Sequence, residues 1–205
     1  MSSQNSIAVS VETRTPKRER GRQRVANLLA AASKIIAERG YDAATMTAIA
    51  AEAGASIGSL YQFFPTKAAL AEVLLDQYGA RLGDKLDALL ALQAGLTTAE
   101  MSEGLVAMML DLTADRTAVM AILDTRDAGS EAGEARRHLR ARLENGLEQL
   151  LLIVRPDLNG DALASLRLSL LYMLKAIPAM VGDAPQLAAQ VRADMIRALA
   201  CYISG

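Results

Sequence analysis

The residues whose types and spacing can do chemistry are few. The densest set is Ser56, Gly58, Ser59, Tyr61, Gln62 and Phe63. Hydroxyls and a carboxamide exchange hydrogen bonds with phosphate oxygens and base edges, and Gln can pair bidentately with adenine. Gly58 carries no side chain, so a partner can approach its backbone closely. These groups suit recognition of a polyanion. Catalysis would need a nucleophile or acid–base pair held in mutual reach. The one histidine, His138, lies among Arg136, Arg137, Arg140 and Arg142 and reads as part of a solvated helix face, with acids such as Glu134 and Glu144 to pair with. Cys201 reads as a small buried apolar residue, with redox sensing as the alternative. No CxxC, HExxH, GxSxG or Walker-type loop occurs. The expectation is a non-enzyme with no cofactor and no metal.

The elements that must position this set lie within Thr45–Lys67. Met46, Ile49, Ala50 and Ala53 recur at helical spacing, and Gly54 interrupts them. Ile57, Leu60, Tyr61 and Phe64 restart the pattern at i, i+3, i+4, i+7. Thr45 and Ser56 stand at N-cap positions, where a short side-chain oxygen accepts an orphan backbone N–H. Two short helices joined by a tight turn, the second with an outer face of small polar residues, form a helix-turn-helix. Periodicity puts Tyr61 on the inner stripe, with only its hydroxyl reaching out.

The stretch Glu38–Leu70, ERGYDAATMTAIAAEAGASIGSLYQFFPTKAAL, resembles the DNA-binding domain of the tetracycline-repressor (TetR) family of bacterial transcriptional regulators. A first helix ending in Gly-Tyr, the Ile-Ala-x-x-Ala-Gly turn, Gly-Ser-Leu-Tyr-x-x-Phe and the following Lys carry the resemblance. It covers about the first third of the chain. It implies double-stranded DNA as a partner, with Tyr61 and Lys67 on backbone phosphates. It also implies a homodimer joined through the last two helices, and a small-molecule effector bound in the second domain. Two positions depart from the family pattern. Phe63 replaces a common His, and Thr47 replaces a common Arg or other long polar residue.

Charge is uneven along the chain. Residues 1–67 carry 9 Lys/Arg against 5 Asp/Glu, whereas residues 68–205 carry 13 against 18. A basic head on an acidic body points to a polyanion bound at one end. Residues 1–21 are expected to be a disordered basic arm. Arg14, Lys17, Arg18 and Arg20 in it, with Arg22 and Arg24 just beyond, are the phosphate candidates; the alternative is a solvated tail. The DNA-binding candidates are therefore Arg22, Arg24, Thr45, Thr47, Ser56, Gly58, Ser59, Tyr61, Gln62, Phe63 and Lys67.

Aromatic residues make up 3% of the chain and there are five prolines, in a background rich in Ala and Leu. That favours an all-α protein of about nine helices: a helix-turn-helix domain over residues 22–68 and a ligand-binding and dimerisation domain over residues 69–205. Helix 1 should carry the stripe Val25, Leu28, Leu29, Ala32, Ile35 and Ile36 and end at Gly40. Later helices are expected over Thr66–Leu92, Thr98–Thr113, Arg116–Asp127, Glu134–Val154, Asp161–Val181 and Pro185–Ile203, with a loop at Asp127–Gly133. A stretch free of charge never exceeds Ala53–Thr66, too short to span a bilayer, and the N-terminus lacks the apolar core of a signal peptide. A cytoplasmic protein without membrane association is expected, consistent with the single cysteine.

The second domain offers weaker signals. Met101, Met108, Met109, Met120, Met173 and Met180 either fill a core or form an adaptable apolar pocket. The pocket candidates are Met108, Met109, Met120 and Met173, with Arg126, Tyr172 and Lys175 as polar anchors. The last two helices are apolar on more than one face, so one face needs a partner. Leu166, Leu170, Leu174, Ile177, Val191, Met195 and Leu199 are the candidates for dimer contact. Alternatives to a ligand-responsive repressor are an activator of the same family and a helical ligand-binding or interaction module without DNA binding.

Overall fold

The computed structural model describes residues 16–92, 95–124 and 130–205. Among these residues there are nine α-helices and no strand. They are α1 (Pro16–Ala43), α2 (Met46–Glu52), α3 (Ile57–Phe63), α4 (Lys67–Leu90), α5 (Thr98–Asp111), α6 (Thr113–Asp124), α7 (Ser130–Val154), α8 (Gly160–Asp183) and α9 (Ala188–Ser204). A single 3-10 turn at Pro185–Leu187 precedes α9.

Helix α1 starts earlier than its apolar stripe suggests. Pro16 opens it, and the run Lys17–Arg24 is helical, so residues 16–21 are not the arm expected from composition; the rest of that arm lies outside the described residues. The physical reason is that Lys, Arg, Glu and Gln are good helix formers, and Pro fits a first helical position. The helix breaks where expected, at Gly40 (φ +78). Leu28, Leu29, Ala32, Ile35 and Ile36 are buried against the other helices.

One continuous core runs through both halves of the chain. Helices α1 to α3 enclose Ile49, Leu60 and Phe64, and α4 carries the core onward through Leu70, Leu75, Tyr78, Leu82 and Leu86. Helix α4 packs along α7, α5 against α8 and α9, and α6 lies against α1. The α4–α7 contact is close enough that a Cβ on Gly146 would lie 2.8 Å from Leu86 Cδ1. Thr97 starts α5 with a reciprocal capping box: its Oγ1 accepts from Glu100 N and its own N–H donates to the Glu100 carboxylate. The Thr97 N–H (2.9 Å) and the Thr97 hydroxyl (2.7 Å) both donate to that carboxylate and hold it below its ordinary range.

The loop expected at Asp127–Gly133 is shorter, because α7 already begins at Ser130; residues 125–129, including Arg126, lie outside the described residues. Helix α8 is long and apolar enough to cross a membrane by length and composition, with a mean hydropathy of 1.3 in its most apolar window. Its inward side chains Leu170, Leu171, Leu174 and Ile177 are seated in the protein core.

Candidate nucleic-acid interface

Three caps and one glycine turn fix α2, α3 and the start of α4. Thr45 Oγ1 accepts from Ala48 N (3.2 Å), Ser56 Oγ from Ser59 N (3.2 Å) and Thr66 Oγ1 from Ala69 N (3.0 Å). Between α2 and α3, Gly54 adopts φ +61. Ala55 N donates to Ala50 O (2.9 Å) and Gly54 N to Ala51 O (3.1 Å), the paired bonds of a Schellman motif. The left-handed residue at its centre needs glycine.

Helix α3 is held by two side chains, Leu60 (0% exposed) and the capping residue Phe64 (5%). Ile57, Gly58, Tyr61, Gln62 and Phe63 are exposed, and Tyr61 is 50% exposed. This corrects the periodicity reading, which put Ile57 and Tyr61 inside. A seven-residue helix satisfies its burial with one i, i+4 pair, and the neighbouring i, i+4 pair is left at the rim. Ser59 is corrected in the opposite sense. Its Oγ is buried without a partner among the described residues, so its hydroxyl does not belong to the outer face. The exposed surface of α3 thus joins an apolar edge, Ile57 and Tyr61, to a polar group, Gln62, across Gly58. A Cβ built on Gly58 would meet nothing within 4 Å, so the space above it is open. Sequence periodicity concealed Ile57, whose apolar side chain suits contact with a thymine methyl. Thr45, the N-cap of α2, and Thr47 on α2 are also exposed.

Lys67 does something other than reach outward. Its Nζ donates to the carbonyls of Tyr41 (2.7 Å), Asp42 (3.1 Å) and Ala44 (3.0 Å), and stands 4.4 Å from the Tyr41 ring centroid. An ammonium has three N–H donors, and all three are engaged. The expectation of a phosphate contact through Lys67 therefore gives way to a structural role. It neutralises the carbonyl end of α1 and ties it to the first turn of α4. Burial, reinforced by Asp42, holds the Tyr41 hydroxyl above its ordinary range.

Positive charge is supplied by α1. Arg20 and Arg24 line a depression of about 270 Å³ with Asn27 and the turn residues Ala53–Ala55, beside the start of α3. Arg22 is paired with Glu19 (2.6 Å). Lys34 and Glu52 bridge α1 to α2 at 2.6 Å. Phe63 is exposed and borders a second depression with Arg22 and Val25.

The second-domain candidates separate. Met108 and Met109 are buried core residues, and Met120 and Met173 are half-buried against it. Tyr172 is 61% exposed and Lys175 lies 5.1 Å from its ring centroid, so these two form an outer feature and not a lining shared with Met108. Arg126 lies outside the described residues. Of the dimer candidates, Leu170, Leu174, Ile177 and Leu199 are fully buried within the subunit and cannot meet a partner. Leu166, Val191 and Met195 are half-buried. The exposed apolar residues of α8 are instead Leu168, Tyr172 and Met180, with Leu187 before α9 and Tyr202 on it. Two stripes run along α8, and spacing alone does not say which one the subunit takes. Cys201 is exposed, against the expectation of burial. Among the described residues no three His, Cys, Asp or Glu side chains are grouped to hold a metal.

Residues 28–74 match the family model of bacterial regulatory proteins, tetR family. No curated protein matches significantly. The fold is similar to that of a putative transcriptional regulator from Pseudomonas aeruginosa PAO1 (TM-score 0.74, 19% identity, 90% of each chain covered). It is also similar to the MbdR regulator from Azoarcus sp. CIB (0.68, 20%, 84% of this chain and 97% of that one). A third similar structure is the transcriptional regulator FadR from Bacillus subtilis in complex with stearoyl-CoA (0.59, 18%, 83% and 97%). At these identities the likeness is one of fold.

Proposed function

We propose that this chain, whose residues 28–74 match the tetR family of bacterial regulatory proteins, is a ligand-responsive repressor that binds a palindromic operator as a homodimer. The observation that carries the reading is the outer surface of α3: Ile57, Gly58, Tyr61 and Gln62 exposed on a helix fixed by Ser56, Leu60 and Phe64, beside Arg20 and Arg24. Such a helix fits the major groove, with base edges read by Gln62 and phosphates drawn to the arginines.

Two copies would bring two such helices to one face of the duplex. The exposed apolar residues Leu168, Tyr172, Met180 and Tyr202 support an interface through α8 and α9. An effector acts by binding one state of the dimer better than the other, and shifts the equilibrium by no more than that difference. Helix α4 runs from the reading head at Lys67 into the second domain at Leu90, so a tilt of α4 would change the spacing of the heads. FadR from Bacillus subtilis is solved in complex with stearoyl-CoA, which supports a small-molecule effector for a fold of this kind. Regulation of transcription and a cytoplasmic location belong to the same reading. The test is a gel shift with the chain's own upstream intergenic DNA at stated salt. A specific shift that unlabelled unrelated DNA fails to compete supports the reading; equal competition by unrelated DNA rules it out.

A further inference from the structure

Between α1, α4 and α6 lies a cleft of about 220 Å³. Its floor is apolar: Leu29, Leu74 and Val119, one from each helix, are buried side chains that border it. Polar groups also line it. Arg81 Nη1 donates to Asp115 Oδ2 at 2.5 Å, while Arg81 Nη2 has no hydrogen bond among the described residues. Ser33 and Gln77 also line the cleft, and their side chains have no partner among the described residues. A second depression, beneath Phe63, shares Leu29 and Gln77 with the cleft. The last residue of α3 and the first turn of α6 therefore border adjoining spaces with a common wall.

We propose that this cleft binds a small neutral aryl alcohol or phenol, as a site separate from the interior of the second domain. Its volume suits a single ring. Its charge is already balanced, because Arg81 and Asp115 pair with each other. An ionised carboxylate accepts only, so it could not donate to Asp115 and would set a second negative charge beside it. A neutral hydroxyl matches the pair: it donates to the Asp115 carboxylate and accepts from Arg81 Nη2, with Ser33 and Gln77 beside it. The ring displaces water from Leu29, Leu74 and Val119. Resting on the repressor reading, the consequence is direct: the ligand sits between α6 and the helix that backs the reading head, and presses on the wall it shares with Phe63.

The binding test does not depend on DNA. p-Cresol is titrated into the full-length protein and followed by methyl NMR, with toluene and benzoate as comparisons. The expected result is saturable shifts of the Leu29, Leu74 and Val119 methyls. Removing the hydroxyl (toluene) or its acceptor (Asp115→Ala) should each weaken binding about ten-fold, as for one hydrogen bond to a charged group. Benzoate should bind more weakly than p-cresol. Ala30→Phe, at an exposed lining position, should abolish the shifts while the remaining spectrum stays folded. Absence of saturation up to about 10 mM, the weak end of specific affinity, overturns the proposal. So do shifts confined to Met108 and Met109, or unchanged binding in folded Ala30→Phe. Gel shifts with and without p-cresol separate the two readings: cresol binding without any DNA binding removes the repressor and leaves the site.

Discussion

The ammonium of Lys67 lies 4.4 Å from the centroid of the Tyr41 ring and donates to the Tyr41 carbonyl at 2.7 Å. With Asp42 and Ala44 it closes the end of α1 onto the start of α4. Lys67→Met should destabilise the protein by roughly 2–3 kcal/mol, the cost of breaking charge-assisted hydrogen bonds to part-buried carbonyls. Because this ammonium is spent inside the protein, the salt slope of DNA binding should stay as in the wild type, measured on the folded fraction. Thermal melts and a salt titration check both halves.

Phosphate attraction should instead reside in α1. Arg20 and Arg24 flank the turn at Gly54, whereas Arg22 is already held by Glu19. Replacing Arg20 and Arg24 together by Gln should lower the log–log salt slope by about 0.9 for each phosphate no longer neutralised. Replacing Arg22 alone should lower it less. Fluorescence anisotropy across a salt series makes the comparison.

How much of the structure is legible in the sequence differs from element to element. The caps at Thr45, Ser56 and Thr66 and the glycine breaks at Gly40 and Gly54 are readable, because each follows from local backbone chemistry at one or two residues. The orientation of α3 is not. Ile57, Leu60, Tyr61 and Phe64 are equivalent in spacing, and only packing against α1 and α2 decides that Leu60 and Phe64 go in. The role of Lys67 is hidden for a related reason: its three acceptors lie more than twenty positions away in sequence. The same limit applies to α8, whose buried Leu174 and exposed Leu168 and Tyr172 carry similar apolar weight in the sequence.

Those two stripes of α8 give opposite expectations for mutation. Leu168→Glu with Tyr172→Glu, both on the exposed stripe, should convert a dimer to monomers with the fold intact. Leu174→Ala, in the core, should cost about 2–5 kcal/mol of stability and leave the association state unchanged. Sedimentation velocity and thermal melts distinguish the cases. A monomeric wild type would remove the proposed interface.

A pH dependence follows from the α7–α8 network. Arg140 at 2.7 Å, reinforced by Arg167 at 3.3 Å, holds the Glu144 carboxyl below its ordinary value. The depressed value means that the unfolded chain takes up the proton first as pH falls. The stabilisation is therefore fully present above the ordinary carboxylate value of about 4.5 and fades as pH drops below it. Glu144→Gln should be less stable than wild type at pH 7, and the gap should narrow towards pH 3. Urea melts at several pH values test the direction.

The central claim is that the open surface around Gly58 meets DNA. Gly58→Ala is the direct probe, because an added methyl group touches nothing in the protein and removes a glycine from a helix. The fold should be unharmed or gain about 0.5–1 kcal/mol. The measurement is affinity for the chain's own upstream operator DNA, alongside the melting temperature, in wild type and Gly58→Ala. A melting temperature that holds or rises while affinity falls at least about ten-fold, roughly 1.4 kcal/mol, is the predicted result. Unchanged affinity in the folded variant would contradict the account.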